Sequence, residues 1–316
     1  HLEYYRGDTI GWSEIEASHD QLDGGYRGLW SGGDTPTIIN TIDFLTISTL
    51  GNSQNFGDLT DVKSNHFCAS SRTIVAWAGG YNGPNRTNSI STQVFSSTGD
   101  SADTADLSAA KSSAAAVSNE IRACFIGGTT GSIINVIEYY TFAAGADTVD
   151  FGDVVSNTFT GSGCSSTTRG VFNCGVISTP ARSNKINYIT IPTTGNSLDF
   201  GDLTQTRNGT GALSNSTRGV WGGGETPSSV DTMDYVTLAT LGNALDFGDM
   251  VGNRHNSTED GASSPTRGVW AGGQNPSRQN VIQYITIAST GDAVDFGDLQ
   301  TLVANPAAAS NGHGGL

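Results

Sequence analysis

The chain repeats itself six times, and this periodicity constrains its fold more than any other feature. The phrase Arg-Gly-Val-Trp-x-Gly-Gly, or a close variant, ends at Gly33, Gly80, Gly128, Gly175, Gly224 and Gly273. A second phrase, Asp-Phe-Gly-Asp or a variant of it, ends at Asp58, Asp106, Asp153, Asp202, Asp249 and Asp298. Both recur at steps of 47 to 49 residues and stay in phase, with no large insertion in any unit. A period of this size marks an array in which each unit is one supersecondary structure and neighbours bury a shared core.

Each unit reads as four short strands. In residues 254–298 a small polar segment (255–264) precedes the apolar stretch RGVWAG at 267–272. NVIQYITI at 280–287 alternates and is rich in β-branched residues, and AVDFGD closes the unit at 293–298. Gly, Pro, Asn and Ser clusters separate these stretches. Nowhere do apolar residues recur at helical spacing for three turns. Four short strands in about 48 residues is the content of a β-propeller blade.

The two ends carry half-units. Residues 1–5 (HLEYY) resemble 137–140 (IEYY), and 8–15 (DTIGWSEI) resemble 147–154 (DTVDFGDV). After Asp298, residues 303–309 can form a first strand, and 314–316 can begin a second with His313 in the Arg position. Two strands from each end make one more blade and remove the open edge of the ring. The expectation is an all-β, seven-bladed propeller, a single domain over 1–316, with residues 1–16 and 300–316 sharing the last blade. The alternative is six blades with extra terminal strands.

Composition narrows the function. Charged residues make up 14% of the chain, against roughly 25% in an average globular protein. Thirty acidic residues face fifteen basic ones, for a net charge of −15. Nucleic acid needs Lys and Arg against its phosphates, so it is excluded as a partner, as is an anionic membrane surface. No apolar run approaches 20 residues, which excludes a membrane-inserted helix, and no signal-peptide pattern is visible. Cys68, Cys124, Cys164 and Cys174 form no CxxC pair and read as small buried thiols.

The Gly-Gly after an apolar strand, the Tyr in the next strand and the aromatic in the following one resemble the kelch propeller pattern. A basic residue often opens the innermost kelch strand. Lys63, Lys111, Arg207 and Arg254 stand in that slot here, and Asn157 does not. Phe56, Phe151, Phe200, Phe247 and Phe296 replace the outer-strand Trp of kelch, with Trp12 in the N-terminal half-unit. The wording of TRGVWAGGQNPSRQNVIQYITIASTGDAVDFGDL at 266–299 is similar to repeats in virion structural proteins of tailed phages, marine cyanobacterial phages in particular. The resemblance implies a kelch-like fold and a particle component, such as a fibre, whisker or decoration. It implies location in the virion after synthesis in the host cytoplasm. The implied partners are other virion proteins, a host-surface glycan or receptor, or further copies of the chain.

The recurring residues have structural explanations. The aromatic position occupied by Trp30, Trp77, Phe125, Phe172, Trp221 and Trp270 recurs in every unit, as a filler between blades would. The glycine pair suits left-handed backbone, and Gly57, Gly152, Gly201, Gly248 and Gly297 suggest an outer-strand bulge. Asp58 and its equivalents read as turn-capping carboxylates. Arg27, Arg72, Arg122, Arg169, Arg218 and Arg267 read as a rim series reaching carbonyls or carboxylates. No HxH, HExxH or GxSxG pattern occurs, so no catalytic residue, metal ligand or cofactor is assigned. Variation concentrates in the loops between second and third strands, where recognition on a rigid scaffold usually sits. Tyr81, Asn82, Arg86, Arg182 and Arg278 are therefore the candidate binding residues. A non-enzymatic virion protein is the leading function; a carbohydrate-active or oxidative kelch-type enzyme is the alternative.

Overall fold

The computed structural model describes residues 2–5, 12–15, 25–255 and 261–316, which contain strands and turns and no helix. Six four-stranded antiparallel sheets surround an axis as the blades of a propeller. Blade II comprises Phe67–Ser70, Ile74–Ala78, Ser89–Val94 and Ala102–Asp106, and blade III Ala115–Ser118, Arg122–Ile126, Val136–Thr141 and Val149–Asp153. Blade IV comprises Gly163–Ser165, Arg169–Asn173, Lys185–Thr190 and Leu198–Asp202. Blade V comprises Gly211–Ser214, Arg218–Gly222, Thr232–Thr237 and Leu245–Asp249. Blade VI comprises Ala262–Ser263, Arg267–Ala271, Gln279–Thr286 and Val294–Val303. Blade I draws on both ends of the chain. Arg27–Ser31, Thr41–Thr46 and Gln54–Asp58 supply three strands, and Ala307–Ser310 supplies the innermost, pairing Gly28 with Ser310 and Ser31 with Ala307.

The ring therefore has six blades, not seven. The first full unit begins at its second strand, so Ala307–Ser310 completes it, and among the described residues no further inner strand opens a seventh blade. Residues 300–303 end the outer strand of blade VI, and residues 311–316 form turns. Leu2–Tyr5 and Trp12–Ile15 form a separate two-stranded sheet.

The core is divided among the six blade junctions, each holding one cluster of buried apolar residues from two adjacent blades. The recurrent aromatic fills each junction and is at most 2% exposed. Burying such a ring removes on the order of 150–250 Å² from water. The Trp221 indole N–H also donates to the Ser162 carbonyl of the preceding blade, and Trp270 to that of Gly211.

Three belts of hydrogen bonds tie the blades together. At the axis, Ser70, Ser118, Ser165, Ser214, Ser263 and Ser310 end the six inner strands and are linked in a closed ring. The Ser118, Ser214, Ser263 and Ser70 hydroxyls donate to the carbonyls of Ser70, Ser165, Ser214 and Ser310. The Ser118 and Ser263 backbone N–H groups donate to the Ser165 and Ser310 hydroxyls. At the outer rim, the N–H groups of Asp58, Asp106, Asp153, Asp202, Asp249 and Asp298 donate to an Asp or Asn side chain of the next blade: Asp100, Asp147, Asn196, Asn243, Asp292 and Asn52. The Asp of the Asp-Phe-Gly-Asp phrase is thus capped through its backbone, and the capping side chain comes from the neighbour. Five blades carry the bulge expected near the outer glycine, and blade II carries one beside Ala105. At Gly201 an added Cβ would lie 2.4 Å from the Gly242 carbonyl oxygen of the next blade.

The third belt uses arginine. Arg27, Arg122, Arg169, Arg218 and Arg267 donate to the carbonyls of Phe95, Ile191, Leu238, Ile287 and Ile47 across the junction. Each guanidinium lies over the Phe44, Tyr139, Tyr188, Tyr235 or Tyr284 ring of its own blade. Each of those rings stands edge-on to the outer-strand Phe. Arg72 does not belong to this series. Ile74 holds the equivalent place in blade II, and Arg72 pairs at the surface with Glu120 at 3.6 Å. Blade II has lost all three members together, carrying Ile74, Thr92 and Thr104 where the others carry Arg, an aromatic and Phe. Ring–ring and cation–ring contacts are each worth about 0.5–1.5 kcal/mol. Amides of Ala102–Asp106 should therefore exchange roughly tenfold faster than those of Val149–Asp153 in native-state hydrogen exchange. Equal protection of the two strands would contradict this reading of the triad.

Candidate functional site

The loops between second and third strands share one face, and each is closed by a bridge between its ends. Tyr81 bridges Arg86, Val176 pairs with Arg182, and Gln274 bridges Arg278. Arg86, Arg182 and Arg278 thus occupy one structural position, in blades II, IV and VI. Ile38, Ile133 and Ser229 occupy it in blades I, III and V. Three arginines, 96 residues apart in sequence, stand on alternate blades around the face.

Two of them, Arg86 and Arg182, make internal contacts that the sequence did not reveal. The Arg86 guanidinium lies 4.9 Å over the Tyr81 ring, and its Nε–H donates to the Ser112 hydroxyl in the linker to blade III. Arg182 donates through Nε–H to Asn208 Oδ1 at 2.5 Å and forms an ion pair with Glu225 of blade V. All four of Tyr81, Arg86, Arg182 and Arg278 are partly buried, whereas Asn82 is exposed at the tip of its loop with Gly83, Pro84 and Asn85. The loop face is stitched as firmly as the rest of the ring. Each loop pairs with the linker entering its blade, at Asp34–Ala304, Ser64–Tyr81, Ser112–Thr129, Phe159–Val176, Asn208–Glu225 and His255–Gln274.

The axial channel is nearly filled. Its cavity of about 40 Å³ is lined by Ala, Gly, Ser, Cys and branched aliphatic side chains and by His313, and has room for a few waters. Residues 311–316 cover the end that carries the serine ring. The Gly314 N–H donates to the Ser214 carbonyl, and an added Cβ at Gly315 would lie 2.0 Å from the Ser118 carbonyl oxygen. His313 Nδ1 accepts from the Gly315 N–H, which places the ring proton on Nε2, 2.9 Å from the Ser70 carbonyl.

In four of the six blades the slot before the inner strand holds a buried cation. Arg207 pairs with Asp234 at 2.9 Å, both fully buried, and Lys111 with Glu138 at 2.7 Å. Lys63 and Arg254 are equally buried, and among the described residues they reach uncharged oxygens: the Ser89 hydroxyl and carbonyl for Lys63, the Gly272, Val281 and Val251 carbonyls for Arg254. Burial pushes the Lys63 pKa down to about 8 and holds His66 beside it at about 3. In blade IV the slot is held by Thr158, one residue beyond Asn157, and its hydroxyl donates to the Cys174 carbonyl. These groups serve packing. Among the described residues, no three His, Cys, Asp or Glu side chains converge as a metal site would require. All four cysteines are buried and lie outside any disulfide among the described residues.

No protein-family model matches the chain, and no curated protein matches it.

Burial, against the opposing pull of the Ser70 carbonyl, lowers the His313 pKa to about 4 from 6.5. The unfolded chain therefore takes up this proton first as pH falls. The stability tied to neutral His313 is complete above pH 6.5 and is lost progressively toward pH 4. His313→Gln should flatten the pH dependence of unfolding in that window by up to about 1.4 kcal/mol per pH unit, leaving the part due to His66. An unchanged slope would contradict the placement of the His313 ring.

Proposed function

We propose that the chain is a non-enzymatic structural protein of a tailed-phage particle, acting through its surface as an assembly or host-attachment module. One observation carries the surface reading. The axis, where a propeller can gather side chains from every blade into a ligand site, is occupied by residues 311–316 and leaves about 40 Å³. Pockets for small-molecule ligands usually measure about 300–1,000 Å³. The loop face offers instead a rigid platform with exposed tips such as Asn82 to Asn85 and three regularly placed arginines. Arg and Tyr are the residue types that anchor protein interfaces. The assignment to a phage rests on the wording of the repeats, and the kelch-like likeness rests on the glycine pair and the aromatic positions. A net charge of −15 suits a component that must stay soluble beside its own packaged genome.

The reading is tested on particles. Mass spectrometry of density-purified virions that encode this chain should recover it in fixed ratio to the major capsid protein. Asn82→Ala combined with Arg278→Ala, which removes contact groups and leaves the blade junctions intact, should lower particle incorporation or adsorption at least tenfold. Recovery of the chain only from the particle-free fraction overturns the virion assignment. Normal incorporation and adsorption of the variant overturn the choice of this face.

A further inference from the structure

The six basic slots are not filled alike, and the difference creates a site. In blade V, the Arg207 guanidinium donates to the Thr232 carbonyl at 2.7 Å, to the Trp221 carbonyl at 3.4 Å and to the Asp234 carboxylate at 2.9 Å. The equivalent residues of blade I, by register, are Thr41, Trp30 and Asp43. Five residues after the outer-strand Asp, where blade V is fed by Arg207, blade I is fed by Val303. The acid has been retained and its cation has been lost.

A cavity of about 10 Å³ remains there, lined among others by Trp30, Thr41, Asp43 and Val303. This is about the smallest space that accommodates one water-sized sphere. Asp43 is only 9% exposed. Its Oδ2 accepts from the Ser53 hydroxyl and the Gln300 N–H, and among the described residues it has no ion pair. A buried carboxylate left without a counter-charge is costly, and elsewhere in this ring the same position is neutralised by Lys111 or Arg207.

We propose that this cavity is a binding site for one dehydrated monovalent cation of ammonium or potassium size, held by the Asp43 carboxylate and the Thr41 and Trp30 carbonyls. The ion takes the place that a guanidinium nitrogen takes in blade V. It sits at the junction of blades VI and I, where the closing strand meets the first unit, so its occupancy bears on the stability of the ring. A divalent ion is a poorer fit, because the single Asp43 carboxylate offsets only one of its two charges and magnesium gives up its water reluctantly.

The test compares unfolding midpoints in ammonium, potassium and tetramethylammonium chloride at equal ionic strength. The expected result is a saturable rise of about 2–4 °C in ammonium or potassium over tetramethylammonium. The rise should vanish in Asp43→Asn. It should also vanish in Val303→Lys, which supplies a tethered ammonium and should melt at or above the wild-type midpoint in every salt. Crystals soaked in rubidium chloride should show an anomalous peak between Asp43 and Thr41. Identical midpoints in the three salts, a salt effect that survives in Val303→Lys, or an ordered water with no rubidium peak each overturn the proposal.

Discussion

A ring of sheets has one seam that the chain does not cross covalently, and here everything depends on the four-residue strand that closes it. Ala307–Ser310 joins a sheet whose other strands lie some 280 residues earlier, as in the Arg27 N–H donating to the Asn311 side chain with a separation of 284 residues. Bringing such distant segments together costs entropy that grows only slowly with loop length. What returns it is the completion of two junction cores at once. Trp30 and Ala308 pack in the cluster shared with blade VI, and Ala307 and Ala309 in the cluster shared with blade II. Without the strand both clusters open to water.

The belts explain why the repeat keeps certain residues and not others. A single buried hydrogen bond contributes about 1 kcal/mol net. A serine ring, a rim of Asx caps and an arginine belt repeat that contribution at nearly every junction. The serine fits because a small hydroxyl can donate to one inner strand while accepting from it. A larger side chain would not fit where the inner strands converge. The arginine triad behaves as a unit: blade II has lost the guanidinium, the ring beneath it and the Phe beside that ring together. This is what mutual dependence within one stack predicts.

Much of this was written in the sequence, because each repeated residue does the same work at every junction. Strand order, the interblade aromatics and the bulge glycines followed from phase and period. The blade count did not, because the terminal half-units resemble strands three and four, and likeness of wording does not fix pairing. A better signal was present in the serines. Ser70, Ser118, Ser165, Ser214, Ser263 and Ser310 recur at the period of the repeat, six times and no more. The Arg72 assignment failed for a similar reason, since it lies two residues before the register position that Ile74 holds. The contacts of Arg86 and Arg182 across junctions, and the empty socket beside Asp43, depend on side chains converging from distant units. No local pattern announces such convergence.

The account makes ring closure the source of cooperativity for blades far from the seam. Hydrogen exchange on a chain lacking residues 307–316 tests this at blade IV, which lies opposite and meets the deleted residues in its inner strand, where Gly314 lies against Ser165, so the second and third strands are the ones to read. The account predicts that amides of Arg169–Asn173 and Lys185–Thr190 lose most of their protection together with those of blade I. Native-like protection in blade IV, with exchange confined to blades VI, I and II, would contradict it.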